Sequence, residues 1–86
     1  MGWFDDERLE DIYNHGDTYG VSPEDCFLIR RKLVILKAIA SGATLGVVGT
    51  IFSFPGGRRG VRVTPDWSIS FTWFEGVGAF AMRLEP

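Results

Sequence analysis

One cysteine, Cys26, and one histidine, His15, are all that this chain of 86 residues holds of either type. A lone cysteine forms no internal disulfide, so a reducing setting, the cytoplasm, is expected. One thiol and one imidazole make no metal cluster, and no cofactor is expected. Neither Gly-x-Gly-x-x-Gly nor a P-loop occurs. The N-terminus is acidic, not basic and then apolar, so it does not read as a signal peptide. Repeats and low-complexity segments are also lacking.

A long apolar run is missing as well. From Leu33 to Phe54 there is one charge, Lys37, with Arg30-Arg31-Lys32 just before it, and residues 38–54 are charge-free, but a span needs ~20 predominantly apolar residues. Ser41, Gly42, Thr44, Gly46, Gly49, Thr50 and Ser53 interrupt this run, although Gly42 and Gly46 have a close-packing spacing. No membrane span is expected.

Net charge is small and the charges are unevenly placed. The net charge is −2, yet residues 1–25 carry −7 and residues 26–86 carry +5. An acidic end and a cationic body could face an anion, or both could be ordinary solvated surface. Eighty-six residues form one domain, 1–86, that buries only ~60% of its unfolded surface.

What the chain does have is a strict alternation at Trp67-Ser68-Ile69-Ser70-Phe71-Thr72-Trp73. Only a strand sends every second side chain to one face, so Trp67, Ile69, Phe71 and Trp73 read as core. Ser68, Ser70 and Thr72 read as a wet, polar face. Glu75-Gly76 between Phe74 and Val77 suggests a two-residue hairpin. That register sets Phe71 opposite Phe80, Ile69 opposite Met82 and Trp67 opposite Leu84, with Ser70 across from Ala81 and Ser68 across from Arg83. A three-residue loop placing Phe71 against Ala79 and Trp67 against Arg83 would spoil the apolar face.

Taken in order, Met1–Phe4 reads as a short strand or a loose end. Asp5 and Asp6 suit a helix N-terminus, Leu9, Ile12 and Tyr13 form a helical stripe, and Gly16 ends it. His15 there is more often a helix C-terminal partner than a catalyst. Ser22-Pro23-Glu24-Asp25 starts a second helix, with Cys26, Ile29, Leu33, Leu36 and Ala40 as its stripe and Ser41-Gly42 as its stop. Cys26 on that stripe is expected to be a small buried hydrophobe. A loop then leads to a strand near Val47–Phe54. Pro55-Gly56-Gly57-Arg58-Arg59-Gly60 must turn, Val61-Arg62-Val63 is a strand with both valines inward, and Thr64-Pro65-Asp66 turns into Trp67. The expected fold is α+β: two N-terminal helices on one face of a small, twisted, mostly antiparallel sheet.

Several stretches together resemble the HigB family of bacterial toxin–antitoxin toxins, within the RelE/ParE superfamily. They are Phe4-Asp5-Asp6, Leu9-Glu10, Gly16-Asp17-Thr18, Gly20-Val21-Ser22-Pro23, Ile29-Arg30-Arg31-Lys32-Leu33 and Leu36-Lys37-Ala38. Gly57-Arg58-Arg59-Gly60 and Val61-Arg62-Val63 continue the series, with Trp67, Ile69, Phe71, Trp73, Gly76 and Leu84-Glu85 after them. The resemblance implies a RelE-like fold, a cytoplasmic bacterial setting and ribosome-dependent cleavage of messenger RNA. It also implies a cognate antitoxin, of helix-turn-helix type, as partner.

Departures from the family pattern fall at the chemistry. Ser68 stands where the family has an arginine, Thr72 lies where another basic residue is usual, and Leu84-Glu85-Pro86 replaces an acidic-Tyr-His ending. The segment before Val61 lacks the family's histidine or lysine. Cleavage needs a base for the ribose 2′-hydroxyl, an acid for the leaving oxygen and cations around the phosphate. The cations remain. Arg62 and Arg83 are expected on the polar face of Ser68, Ser70 and Thr72, with Arg58 and Arg59 on the adjoining turn. The bland alternative is that the turn is only a turn and the arginines are solvated or paired. Two functions follow. One is a weak HigB-like ribonuclease with Arg62 as its catalytic residue and Arg58, Arg59, Arg62 and Arg83 binding phosphate. The other is a non-catalytic relative that binds an antitoxin or another protein.

Overall fold

The computed structural model describes residues 3–39 and 42–86, with the side chains of residues 42–44 left aside. Asp6, in extended conformation, accepts a bond from the Arg8 amide and caps α1, Glu7–His15. Gly16 closes this helix in the left-handed region, φ 86°. Ser22 caps α2, Pro23–Ala38, by accepting from the Asp25 amide, with Pro23 in the first turn. These ends follow the sequence signals because the signals are local. Ala40 and Ser41, expected to finish the second helix, lie outside the described residues, and the helix itself ends at Ala38.

A 3₁₀ segment, Gly42–Val47, precedes four strands: β1 Ile51–Phe54, β2 Arg58–Arg62, β3 Ser68–Phe74 and β4 Gly78–Glu85. They form an antiparallel meander in chain order. The first strand starts later than residue 47, because Leu45 and Val48 are committed to the core and the Lys32 ammonium donates to the Val48 carbonyl. Both helices pack on one face of the sheet. Leu9 and Ile12 from α1, and Cys26, Ile29, Leu33 and Leu36 from α2, meet Val61, Ile69, Phe71, Met82 and Leu84 there. The α+β architecture is the expected one. Cys26 is fully buried, and among the described residues no helix is long and apolar enough to cross a membrane.

The last hairpin departs from expectation. Its connection is three residues, Glu75–Val77, with Phe74 opposite Gly78, Trp73 opposite Ala79 and Thr72 opposite Phe80. A bulge between Ser70 and Thr72 then shifts the register once more, so that Ile69 faces Leu84, Ser70 faces Arg83 and Ser68 faces Glu85. Ala81 takes φ 51° at this point. The extra residue returns Met82 and Leu84 to the core side, which a longer loop alone would not do. The apolar face survives by a bulge, not by a tighter turn.

The chain's start is fastened to its end. Phe4 bridges Met82 in parallel, the Met82 amide donates to the Trp3 carbonyl at 2.9 Å, and the Asp5 amide donates to the Met82 carbonyl at 2.9 Å. These bonds cover the outer edge of β4, which would otherwise offer unpaired backbone groups. Asp6 also accepts from the Leu84 amide at 3.1 Å. Burial alone would raise its carboxyl pKa. The Arg8 guanidinium, the Leu84 and Arg8 amides and the Arg8 charge outweigh this and hold it below its ordinary 3.8. Its stabilisation is therefore present above that value and is lost as pH falls through the lower folded value. Asp6→Ala should cost about 1–2 kcal/mol near neutrality. In urea unfolding, the gap between wild type and variant should close as pH drops below 3.8.

Candidate functional site

Pairing across the strands decides which side chains share the sheet face away from the helices. Phe52 faces Gly60, Gly60 faces Ser70, Arg62 faces Ser68, and Ser70 faces Arg83. Directly opposed residues lie on one face. Arg62 and Arg83 therefore stand on the face of Ser68, Ser70 and Thr72, as the strand alternation indicated, and Arg58, expected on the turn, joins them there. Arg59 does not. It pairs with Phe71 and Ser53, so it belongs to the helix side of the sheet, at an end where it stays exposed. The turn ends at Gly57 and Arg58 already begins β2. A strand sends neighbours to opposite faces, so the Arg58-Arg59 pair is split and does not act as one phosphate clamp.

The expected wet face is covered. Ser70 is fully buried and Ser68 is 2% exposed, with Thr72 half-buried. Arg58 does much of the covering. Its guanidinium lies across the strands and donates to Thr72 Oγ1 at 3.3 Å, Ser70 Oγ at 3.2 Å and the Ala81 carbonyl at 2.5 Å. The Ser70 hydroxyl donates onward to Glu85 Oε2 at 2.7 Å. Arg58 Nε is buried with no acceptor. Burial, followed by the charge of Arg83, lowers the Arg58 pKa, against the opposing pull of Glu85 and Asp5.

The remaining cations are engaged too. Arg83 pairs with Asp5, with Nη2 to Oδ2 at 2.6 Å and Nε to Oδ2 at 2.7 Å. Arg62 donates to the Pro65 carbonyl at 2.9 Å and is exposed. An exposed arginine on a loop carbonyl exchanges that bond readily for a phosphate, whereas Arg58 would have to abandon three. His15 sits exposed in the last turn of α1 and is not part of this face. Among the described residues no cluster could hold a metal ion.

Two features of the face escaped the sequence reading. Glu85 arrives opposite Ser68 only because the loop is longer and the strand bulges. Its place beside Ser70 puts a carboxylate among three arginines. Phe52 and Phe54 also belong here, their rings 5.2 Å apart. A Cβ built on Gly60 would fall 2.2 Å from Phe54 Cε2, so glycine makes room for the ring over the strand. The spacing of Phe52 and Phe54 signals one shared face, but nothing local says which. On the other side Phe80, opposite Thr72, stacks on Trp3 at 4.9 Å and 7°. No protein-family model matches this chain, and no curated protein matches it either.

Proposed function

We propose that this chain is a HigB-like member of the RelE/ParE superfamily, one component of a bacterial toxin–antitoxin pair, that works by binding its antitoxin without cleaving RNA. The observation that carries this reading is the internal use of the arginines. Arg58 is spent on Ser70, Thr72 and Ala81, and Arg83 on Asp5, which leaves Arg62 as the arginine of this face most easily released to an anion. The departures at Ser68, Thr72 and the Leu84-Glu85-Pro86 ending agree with it. The partner under this reading is a helix-turn-helix antitoxin, and the setting is the cytoplasm.

Glu85 favours a second reading, a weak ribosome-dependent messenger RNA endoribonuclease. A carboxylate there could take the proton of a ribose 2′-hydroxyl, whose oxygen attacks the phosphorus while the bond to the 5′-oxygen breaks. Arg62, once released from the Pro65 carbonyl, would steady the charge on the phosphate. Histidine and lysine are both missing from the face as acids for the leaving 5′-oxygen, so a slow reaction is the most this reading offers.

Induced expression without an antitoxin separates the two. Under the binding reading growth and messenger RNA stay intact, Arg62→Ala changes neither, and the chain co-purifies with a small helix-turn-helix protein encoded beside it. Growth arrest with loss of messenger RNA, abolished by Arg62→Ala and by Glu85→Gln, would overturn it in favour of cleavage.

A further inference from the structure

Helix α2 is apolar on two sides. Cys26, Ile29, Leu33 and Leu36 face the core, while Phe27 is 63% and Val34 46% exposed on the outside. Glu24, Phe27, Arg31 and Val34 are spaced i, i+3, i+7 and i+10, which lays them in one outward stripe. A trough of about 280 Å³ lies alongside, lined by Phe27, Arg30, Arg31, Val34 and Ile35. The Arg31 guanidinium stands 5.9 Å from the Phe27 ring centroid. Among the described residues, neither Glu24 nor Arg31 takes part in an ion pair.

We propose that this stripe is the isologous interface of a homodimer, in which α2 of one copy packs antiparallel on α2 of a second copy about Phe27. The order of charges along the helix carries the inference. Glu24 and Asp25 come before Phe27, and Arg30 and Arg31 come after it. A two-fold axis passing between Phe27 and Leu28 sets Glu24 of each copy against Arg31 of the other. Each Phe27 then meets the trough of the opposite copy.

Other arrangements lose this match. Parallel packing would oppose Glu24 to Glu24 and Arg31 to Arg31. An antiparallel pair centred on Arg31 would crowd arginines at the axis. A purely acidic partner helix would suit the arginines but place like charge against Glu24 and Asp25, which costs affinity. A self-complementary patch is what a closed two-fold contact requires. The interface would also add apolar burial that a domain of this size lacks.

Sedimentation velocity of the full chain tests the proposal. A species of about twice 9.6 kDa is expected, weakening as salt is raised. Glu24→Arg and Arg31→Glu should each weaken association roughly tenfold or more, because each sets like charges face to face. The double variant, with both charges reversed, should regain the wild-type association, and this rescue shows that the singles were folded. Phe27→Ala should leave a monomer with unchanged helical circular dichroism. A monomer at every concentration, single reversals without effect, or a double variant as dissociated as the singles would each overturn the dimer.

Discussion

Truncation of Phe71 to alanine is expected to remove about 3–5 kcal/mol, the cost of deleting a fully buried aromatic ring and leaving its cavity. Phe71 is the largest of the fully buried side chains. It sits in the middle of β3, edge-on to Trp73 with ring centroids 6.4 Å apart, between the helices and the sheet. It also stands beside the bulge, in the register gap between Ser70 and Thr72. A domain of 86 residues has roughly 4–13 kcal/mol to lose. Phe71→Ala should therefore melt more than ~10 °C below wild type, while Phe71→Leu, which keeps most of the volume, should lose about 1.5 kcal/mol or less. Thermal melts followed by circular dichroism decide this. A Phe71→Ala protein melting within a few degrees of wild type would mean that β3 does not carry the core.

The alternation that identifies Phe71 shows how far such a chain can be read unaided. Helix ends at Asp6, Gly16 and Ser22 were legible because caps depend on one residue and its nearest amides. Ile69 and Phe71 were legible because a period of two has one structural meaning. Register was not. The Glu75-Gly76 pair suits a two-residue turn locally, but Gly78, at φ 124°, and the bulge at Ala81 reset the pairing from further along the chain. The sequence offers no local mark for an alanine at φ 51°.

Errors at the site descend from that one fact and from the length of the preceding turn. A turn ending at Gly57 splits Arg58 from Arg59, and the shifted register delivers Glu85 in place of Arg83 opposite Ser68. Ser68 and Ser70 read as wet because serine is usually exposed and they alternate with core residues. The burial of Ser70 goes with Arg58 folding back over it, a contact between residues twelve positions apart, and Ser68 lies between Arg62 and Glu85 of the neighbouring strands. Long side chains that lie down on a sheet leave no periodic trace.

Arg58 is therefore the residue at which a structural and a phosphate-binding role make opposite forecasts. Replacing it with alanine should lower stability by about 2–4 kcal/mol, since charge-assisted bonds to Ser70, Thr72 and Ala81 disappear together and buried oxygens lose donors. Glu85 would keep its bond from Ser70 but lose one favourable charge, which deepens the loss. Arg58→Lys should recover only part, because one ammonium cannot span three acceptors that the planar fork reaches at once. Arg62→Ala, by contrast, gives up a single exposed bond to the Pro65 carbonyl and should stay within about 0.5 kcal/mol of wild type. Urea midpoints for the three variants read this directly. A free phosphate ligand would behave the other way, with Arg58→Ala as stable as wild type and only RNA binding reduced. The half-buried arginine is held in a demanding environment: burial lowers its pKa and its Nε has no acceptor. A leucine or methionine at position 58 could thus unfold at a higher urea concentration than Arg58→Ala, by filling the same space without the desolvated charge. That ordering, wild type above methionine above alanine, would place Arg58 among the groups that hold the sheet together and leave Arg62 as the cation this face can offer to an anion.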